Sequence, residues 1–514
     1  MTHRERALYW KIGYGVGICI CILLLYGLGA PSTRDASGQI SPGGALARFR
    51  ADYGLTEANL GEIDAAGETI KLATLGLRGV AVLLLWERAN ECKMKKDWTG
   101  LSATLQQLAK LQPRFISVWQ FQAWNVAYNC SVEFDDYRDR YRWVIKGIHY
   151  LREGINYNQY EPRLLWDEGW FTGHKIGRAD EKTQFRRLFR QDDDFHDSLP
   201  VDLRDPTRDN WLCGKRCFLA AERLDAAGHK MKGKSPLLFH SDAPKCQINY
   251  ADAIVSEGSF GEVALEAWRR ADAEWKEYGN LKIETTFRDP RTGETLFIHL
   301  NDKEHYLEEA QNHIKAIEAL APGLRQQLEE EKRAALTKRE RAALETPPAQ
   351  RTPQEYELAK AAQRKLAVTH QELAQRITGP KGAVARDHAS KAALAEQMAD
   401  YIDRYRQIVN FEYWRLRCQV EQDPLTLQAH QYIYQADQQE LDLPQARENY
   451  EKGMAAWRKV LDAHPKLLDD RTTGEELVEM IERYRKVLGR IGEPRLPPNF
   501  ILQDVLDRYG KKGA

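Results

Sequence analysis

The stretch KKDWTGLSATLQQLAKLQP, residues 95–113, decides how this chain is read. Leu101, Leu105 and Leu108 return every three or four residues, which puts them on one face of a helix, and Pro113 stops it. A single helix of this kind leaves its apolar stripe in water, so it must pack on neighbouring helices. The same pattern extends outward from about residue 60 to Pro113, then from Phe115 to about Ile155, then onward from Pro162. Prolines punctuate it at the spacing of helix pairs, so the expected fold class is mostly α.

The segment resembles the second half of a tetratricopeptide repeat, a helix–turn–helix unit of about 34 residues. Ala89 stands where the first helix of that repeat carries a small residue. Leu101, Leu105 and Leu108 stand at the packing positions of its second helix, and Pro113 at its closing proline. Gly453, Trp457 and Val460 hold the same three packing positions ahead of Pro465, and Leu165 to Gly177 is a weaker third match. Leu101 is larger than the family's usual residue, and the helix before Gly453 is out of register. The resemblance therefore covers two degenerate repeats, roughly 65 residues. It implies a solenoid-like body with a groove that binds a protein or peptide. The whole chain is also similar to bacterial anchored proteins labelled "iron responsive element", a label that no residue here ties to iron or RNA.

Composition shifts divide the chain into a short flank at 1–11, a hydrophobic segment at 12–30, a tether at 31–58 and a helical-repeat domain at 59–280. A β-hairpin at 281–301, a long charged helical hairpin at 302–422 and a C-terminal helical-repeat unit at 423–514 follow. The β-hairpin rests on KIETTFR (282–288) and ETLFIHL (294–300), two runs rich in β-formers around the turn sequence DPRTG. In the charged region the first helix is expected to run to about Leu344 with a kink at Pro322-Gly323. A new helix is expected at Thr352, with Thr352 as cap and Glu355 closing a capping box, and a third after Gly379-Pro380. Ala359, Leu366 and Leu373 keep a seven-residue step, but the partner positions hold Gln363 and His370. The expectation is an antiparallel protrusion with a thin apolar seam.

Ile12 to Ala30, IGYGVGICICILLLYGLGA, is 19 residues without a charge. As a helix it would measure roughly 28 Å against a hydrocarbon core of about 30 Å, so a transmembrane anchor is expected. A cleaved signal peptide is the competing reading, although its apolar core is normally shorter and Pro31 would block a cut after Ala30. Arg4, Arg6 and Lys11 before the segment, with Arg34 alone close behind it, place the body on the non-cytoplasmic (periplasmic) side. A second apolar run, Leu72 to Trp86, carries Arg78 and reads as a buried helix of the body. A two-span hairpin, which would leave the body in the cytoplasm, is its alternative.

Lys plus Arg and Asp plus Glu each number 75, so the net charge is zero. A chain that held nucleic acid would carry a basic surplus, so no nucleic-acid partner is expected. The eight cysteines are scattered, and no phosphate loop, metalloprotease, hydrolase or calcium-loop motif occurs, so no cofactor is implied. Cys213, Cys217, His229, His240 and Cys246 are the nearest approach to a zinc set. Asp192, Asp193, Asp194, His196 and Asp197 form an acidic cluster. Packed or free thiols on a helix face explain the first set better than a metal, a solvated loop explains the second equally well, and no catalytic or metal residue is assigned. Trp124 and Tyr128 fall on one helical face, with Asn125 and Asn129 as an adjacent polar stripe and Arg138 and Arg140 beyond it. Asn125, Asn129, Arg138 and Arg140 are therefore the expected partner-binding residues, with Trp124 expected in the core.

Two functions are open on this reading. One is a membrane-anchored helical-repeat scaffold that binds a protein or peptide. The alternative is an enzyme of unrecognised type, possibly metal-dependent, using Asp, His and Cys of the 190–250 region.

Overall fold

The computed structural model describes residues 78–288, 292–439, 441–493 and 495–510 without interruption, and before them Gly13–Ile18 with scattered positions up to residue 48. The flank 1–11, parts of 12–30 and most of 31–58 lie outside the described residues, as do Asp289, Pro290 and Arg291 of the hairpin turn. Within 12–30, residues 13–18, 20, 21, 23, 24 and 28 are helical, and Tyr14, Val16, Ile18, Ile20, Leu23, Leu24 and Leu28 are exposed. Among the described residues no helix is long and apolar enough to cross a membrane. In the tether, Thr33–Arg34 pairs antiparallel with Ile40–Ser41.

The chain divides into two units, Met1–Gly233 and Lys234–Ala514. In the first, the helices Arg78–Met94 and Trp98–Leu111 pack as a pair that buries Ala89, Leu101, Leu105 and Leu108. The expected run from Phe115 to Ile155 is interrupted. Ile116–Trp124 ends in a π-helical turn (Asn125–Cys130) and a short 3-10 turn, and Tyr137–Tyr157 starts afresh behind Asp136, which caps it by accepting from the Arg138 amide. Pro162–Trp170 likewise opens into a second π turn, Phe171–Lys175, and Asn210–Ala226 lies across both. The crossing is close because a Cβ on Gly214 would sit 2.8 Å from the Gly169 carbonyl oxygen.

In the second unit Asp242–Ser256, Glu262–Gly279, Met398, Ile402 and Phe411 enclose one core around Trp268, Trp275 and Tyr278. The β-hairpin closes it. Ile283–Arg288 pairs antiparallel with Thr295–Ile298, Ile283 and Ile298 face each other in the core, and the Phe287 ring stacks on Tyr401 at 3.8 Å. Pro424–Gln438, Leu443–Ala463 and Arg471–Arg490 share a second core with Tyr450, Trp457 and Tyr484, and Gly453 presses against Ile433.

The charged region forms its long pair, Lys303–Leu320 against Gly379–Ile408. The break at Pro322-Gly323 is present, with Gly323 at φ +83°. The first helix does not run to Leu344. It stops at Ala335 and restarts at Lys338 behind a Thr337–Glu340 capping box, the same device that opens Pro353–Leu366 at Thr352–Glu355. A further break at Ala367–Thr369 sets off His370–Arg376. The seam is small, with Ile317, Leu328, Leu373, Ile377 and Ala385 at its centre.

Candidate functional site

The aromatic residues of the first unit converge where its two π turns meet. The helix Tyr137–Tyr157 comes so close to the first turn that a Cβ on Gly147 would lie 2.7 Å from that of Ala127 and 3.0 Å from the Ala123 oxygen. Ala123, Val126, Ala127 and Cys130 fill that inner face. Trp124 is therefore turned outward, and this corrects its expected burial: it is 45% exposed, and Phe121 on the same side is 49% exposed. The i, i+4 pairing itself is present, for Trp124 and Tyr128 stack at 3.9 Å and 8°.

The second π turn supplies the floor. Phe171, buried, presents its edge to both rings, 6.1 Å from Trp124 and 5.2 Å from Tyr128. Asn210 ties to this turn by donating to the Thr172 and Gly173 carbonyls at 3.1 and 2.8 Å. Lys175 places its ammonium 4.5 Å from the Tyr128 ring centre, a cation–π contact. Burial pulls the Lys175 amine below its ordinary range, and the nearby Glu181 carboxylate is engaged by Arg140. Burial likewise pushes the Tyr128 phenol up to about 12, against the hydrogen bond from Trp170. Trp86, 6.1 Å from Phe121, and the exposed Leu83 and Leu84 extend the apolar surface along Arg78–Met94. The run Leu72–Trp86 is thus not wholly a buried helix in its described part.

The expected polar stripe is divided. Asn125 is buried and accepts a 2.7 Å hydrogen bond from Asn129, which is exposed. Arg138 is exposed and lies over its neighbour Tyr137, whereas Arg140 is half-buried and fastened to Glu181 and to the Phe134 carbonyl. Asn129 and Arg138 alone of the four are exposed, the first bonded to Asn125 and the second 3.7 Å from the Asp136 carboxylate. The strip Phe121, Trp124, Tyr128 was legible as aromatics spaced by three and four. Lys175 and the two π turns had no signature in the chain.

The residues of the 190–250 region have structural partners. Asp192 caps the helix Asp193–Ser198 and accepts from the Tyr141 hydroxyl at 2.8 Å, and Asp193 pairs with Arg208. His196 is buried with Nε2 2.8 Å from the Phe189 oxygen, and burial lowers its pKa. Cys213 and Cys217 lie inside the Asn210–Ala226 packing, where burial pushes the Cys213 thiol up to about 12. His229 stacks on Tyr160. Among the described residues no group of three or more His, Cys, Asp or Glu is placed to hold a metal. In the second unit Glu421 and His430 form a buried pair at 2.9 Å beside Arg417, which also reaches Asp252 and Tyr413.

No family model matches the chain, and no curated protein and no solved structure matches it. The site is therefore read from its own geometry.

Proposed function

We propose that this protein is a helical-repeat scaffold, held at a membrane by the apolar segment 12–30, whose first unit captures a protein or peptide partner on its aromatic strip. The stack of exposed Trp124 on half-buried Tyr128 is the observation that carries the reading. Exposed aromatic anchors surrounded by polar groups are the usual centre of a binding surface, because two-χ side chains bury much area at little entropic cost. Phe121 and Trp86 widen the strip, and Lys175 and Asn129 give it a polar edge. The membrane part is supported by the exposed apolar side chains from Tyr14 to Leu28 and by the basic residues before them.

A photo-crosslinking residue placed at Phe121 in the membrane-bound chain tests the partner reading, with a second at Arg187 on another surface as control. A discrete adduct from position 121, lost in Trp124→Ala, is expected. Equal adducts from both positions, or none, would remove the support. Trp124→Ala should cost about 2 kcal/mol, below the 3–5 of a fully buried tryptophan, so the variant stays folded. Protease added to intact spheroplasts tests the orientation: digestion of the body is expected, and protection until lysis would refute it.

A further inference from the structure

One charged group beside the aromatic strip has no counter-charge. Lys175 is half-buried at the end of the Phe171–Lys175 turn, and its ammonium lies 4.5 Å from the Tyr128 ring centre. Trp124 covers one face of that ring at 3.9 Å, so the ammonium takes the other. Among the described residues no oxygen hydrogen-bonds this nitrogen and no carboxylate pairs with it. Glu181, the carboxylate it feels most, is taken by Arg140, and Asp180 is exposed and does not pair with it. Asp167, on the Tyr128 side, accepts from Gln120 at 2.6 Å. A partly desolvated cation without an acceptor costs free energy. The ring face offsets part of that cost but satisfies none of the three N–H donors as an oxygen would. The nitrogen itself is not sealed from solvent, so an acceptor can reach it.

The outer face of Trp124 and the Lys175 nitrogen thus stand on opposite sides of one tyrosine ring. Their separation is bounded by the two contacts, 3.9 and 4.5 Å, placed end to end. Side chains two residues apart on an extended strand leave the same face about 7 Å apart, so one strand can set the first on the indole and the second on the ammonium. The indole, 45% exposed, suits an aromatic or large aliphatic side chain, and the ammonium suits a carboxylate. A phosphoryl group carries nearly two charges and three acceptor oxygens, for which one ammonium is a poor match.

We infer that the segment captured on the strip is extended and acidic, with an Asp or Glu two positions from an aromatic or large aliphatic residue and its carboxylate on Lys175. The inference rests on the strip being a binding surface, and adds the charge and spacing of what binds there.

A random nine-residue peptide library, its C-terminus joined to the phage coat so that only side-chain carboxylates are offered, tests it on the full-length chain in detergent micelles. After removal of binders to Trp124→Ala, the wild-type chain should enrich Asp or Glu two positions from Trp, Phe, Tyr or Leu. Lys175→Glu should select Lys or Arg at that spacing instead. In the best wild-type peptide, exchanging the acid for its amide should weaken binding about ten-fold, Lys175→Gln should do the same, and the two together should do no more. Lys175 makes no hydrogen bond within the fold, so Lys175→Gln should leave the melting curve unchanged, and the exchange in the peptide reads the same pairing with the fold untouched. Trp124-dependent peptides that lack the acid, or whose acid is indifferent to Lys175, would overturn this inference and leave the strip as a binding surface. Absence of any Trp124-dependent peptide would overturn both.

Discussion

Arg406→Met should loosen the root of the protrusion by about 2–5 kcal/mol. Arg406 is 2% exposed near the end of Gly379–Ile408, with its guanidinium 5.3 Å from the Phe411 ring centre. Its Nε donates to the Leu300 oxygen at 2.6 Å, both terminal nitrogens reach Glu304 at 2.7 Å, and Nη1 also reaches Glu412 at 2.6 Å. One side chain thus ties the turn before Lys303–Leu320, that helix itself and Phe411–Glu421 together. Methionine keeps the aliphatic stem but leaves the Leu300 carbonyl without this donor, which costs about 1–3 kcal/mol. The carboxylates of Glu304 and Glu412 are 58% and 49% exposed, so they rehydrate, and their lost pairing adds only about 0.5–1 kcal/mol each. Urea unfolding followed by circular dichroism measures the difference, and a double-mutant cycle with Glu304→Gln isolates the pair. A loss within about 0.5 kcal/mol of zero would refute the assignment of Arg406 as the tie. The effect also has a pH signature. Hydrogen bonding to Arg406 holds the Glu304 carboxyl down at about 2. A depressed acid contributes stability above its ordinary value near 4.5 and loses it as pH falls through the folded value, so the wild-type advantage should shrink between these limits.

Two further outcomes follow from the packing. Gly214→Ala should destabilise the first unit by about 2–3 kcal/mol in urea, because the new methyl meets the Gly169 oxygen at 2.8 Å and the Gly173 nitrogen at 2.9 Å, both backbone. Gly489→Ala, with nothing within 4 Å, should be neutral or slightly stabilising. Despite burial, Glu421 raises the His430 pKa, and His430 holds Glu421 below the ordinary carboxylate range. The pair should therefore stabilise most between these two values. Its contribution should fade as pH rises through the elevated histidine value, and His430→Gln should flatten that alkaline limb of the stability profile.

Local signals in the chain were sound where short-range chemistry decides structure. The Thr352–Glu355 capping box, the break at Gly323 and the hairpin strands lie where residue type alone puts them. The break at Thr337 was missed although Thr337 and Glu340 spell the same box, because the surrounding charged helix pattern continued through it. The break at Ala367–Thr369 also interrupts the seven-residue step and sets His370 against Glu396 instead of leaving it a flaw in a seam.

The sequence by itself determined that this protein is mostly helical, that a β-hairpin interrupts it, that its helices need neighbours, and that 12–30 has the length and apolarity of an anchor. These are one-dimensional properties: propensity, period, capping and span. Tertiary structure alone decided which side is inside where aromatic and polar residues alternate, as around Trp124. Trp124 is out and Asn125 in because Gly147, twenty-odd residues on, brings another helix against Ala123 and Ala127 and widens the turn between them. Arg406 meets Glu304 and His370 faces Glu396 only after long segments have folded back on themselves. Sequence spacing cannot encode such meetings, because each depends on the packing of helices whose order in the chain says nothing of their distance in space.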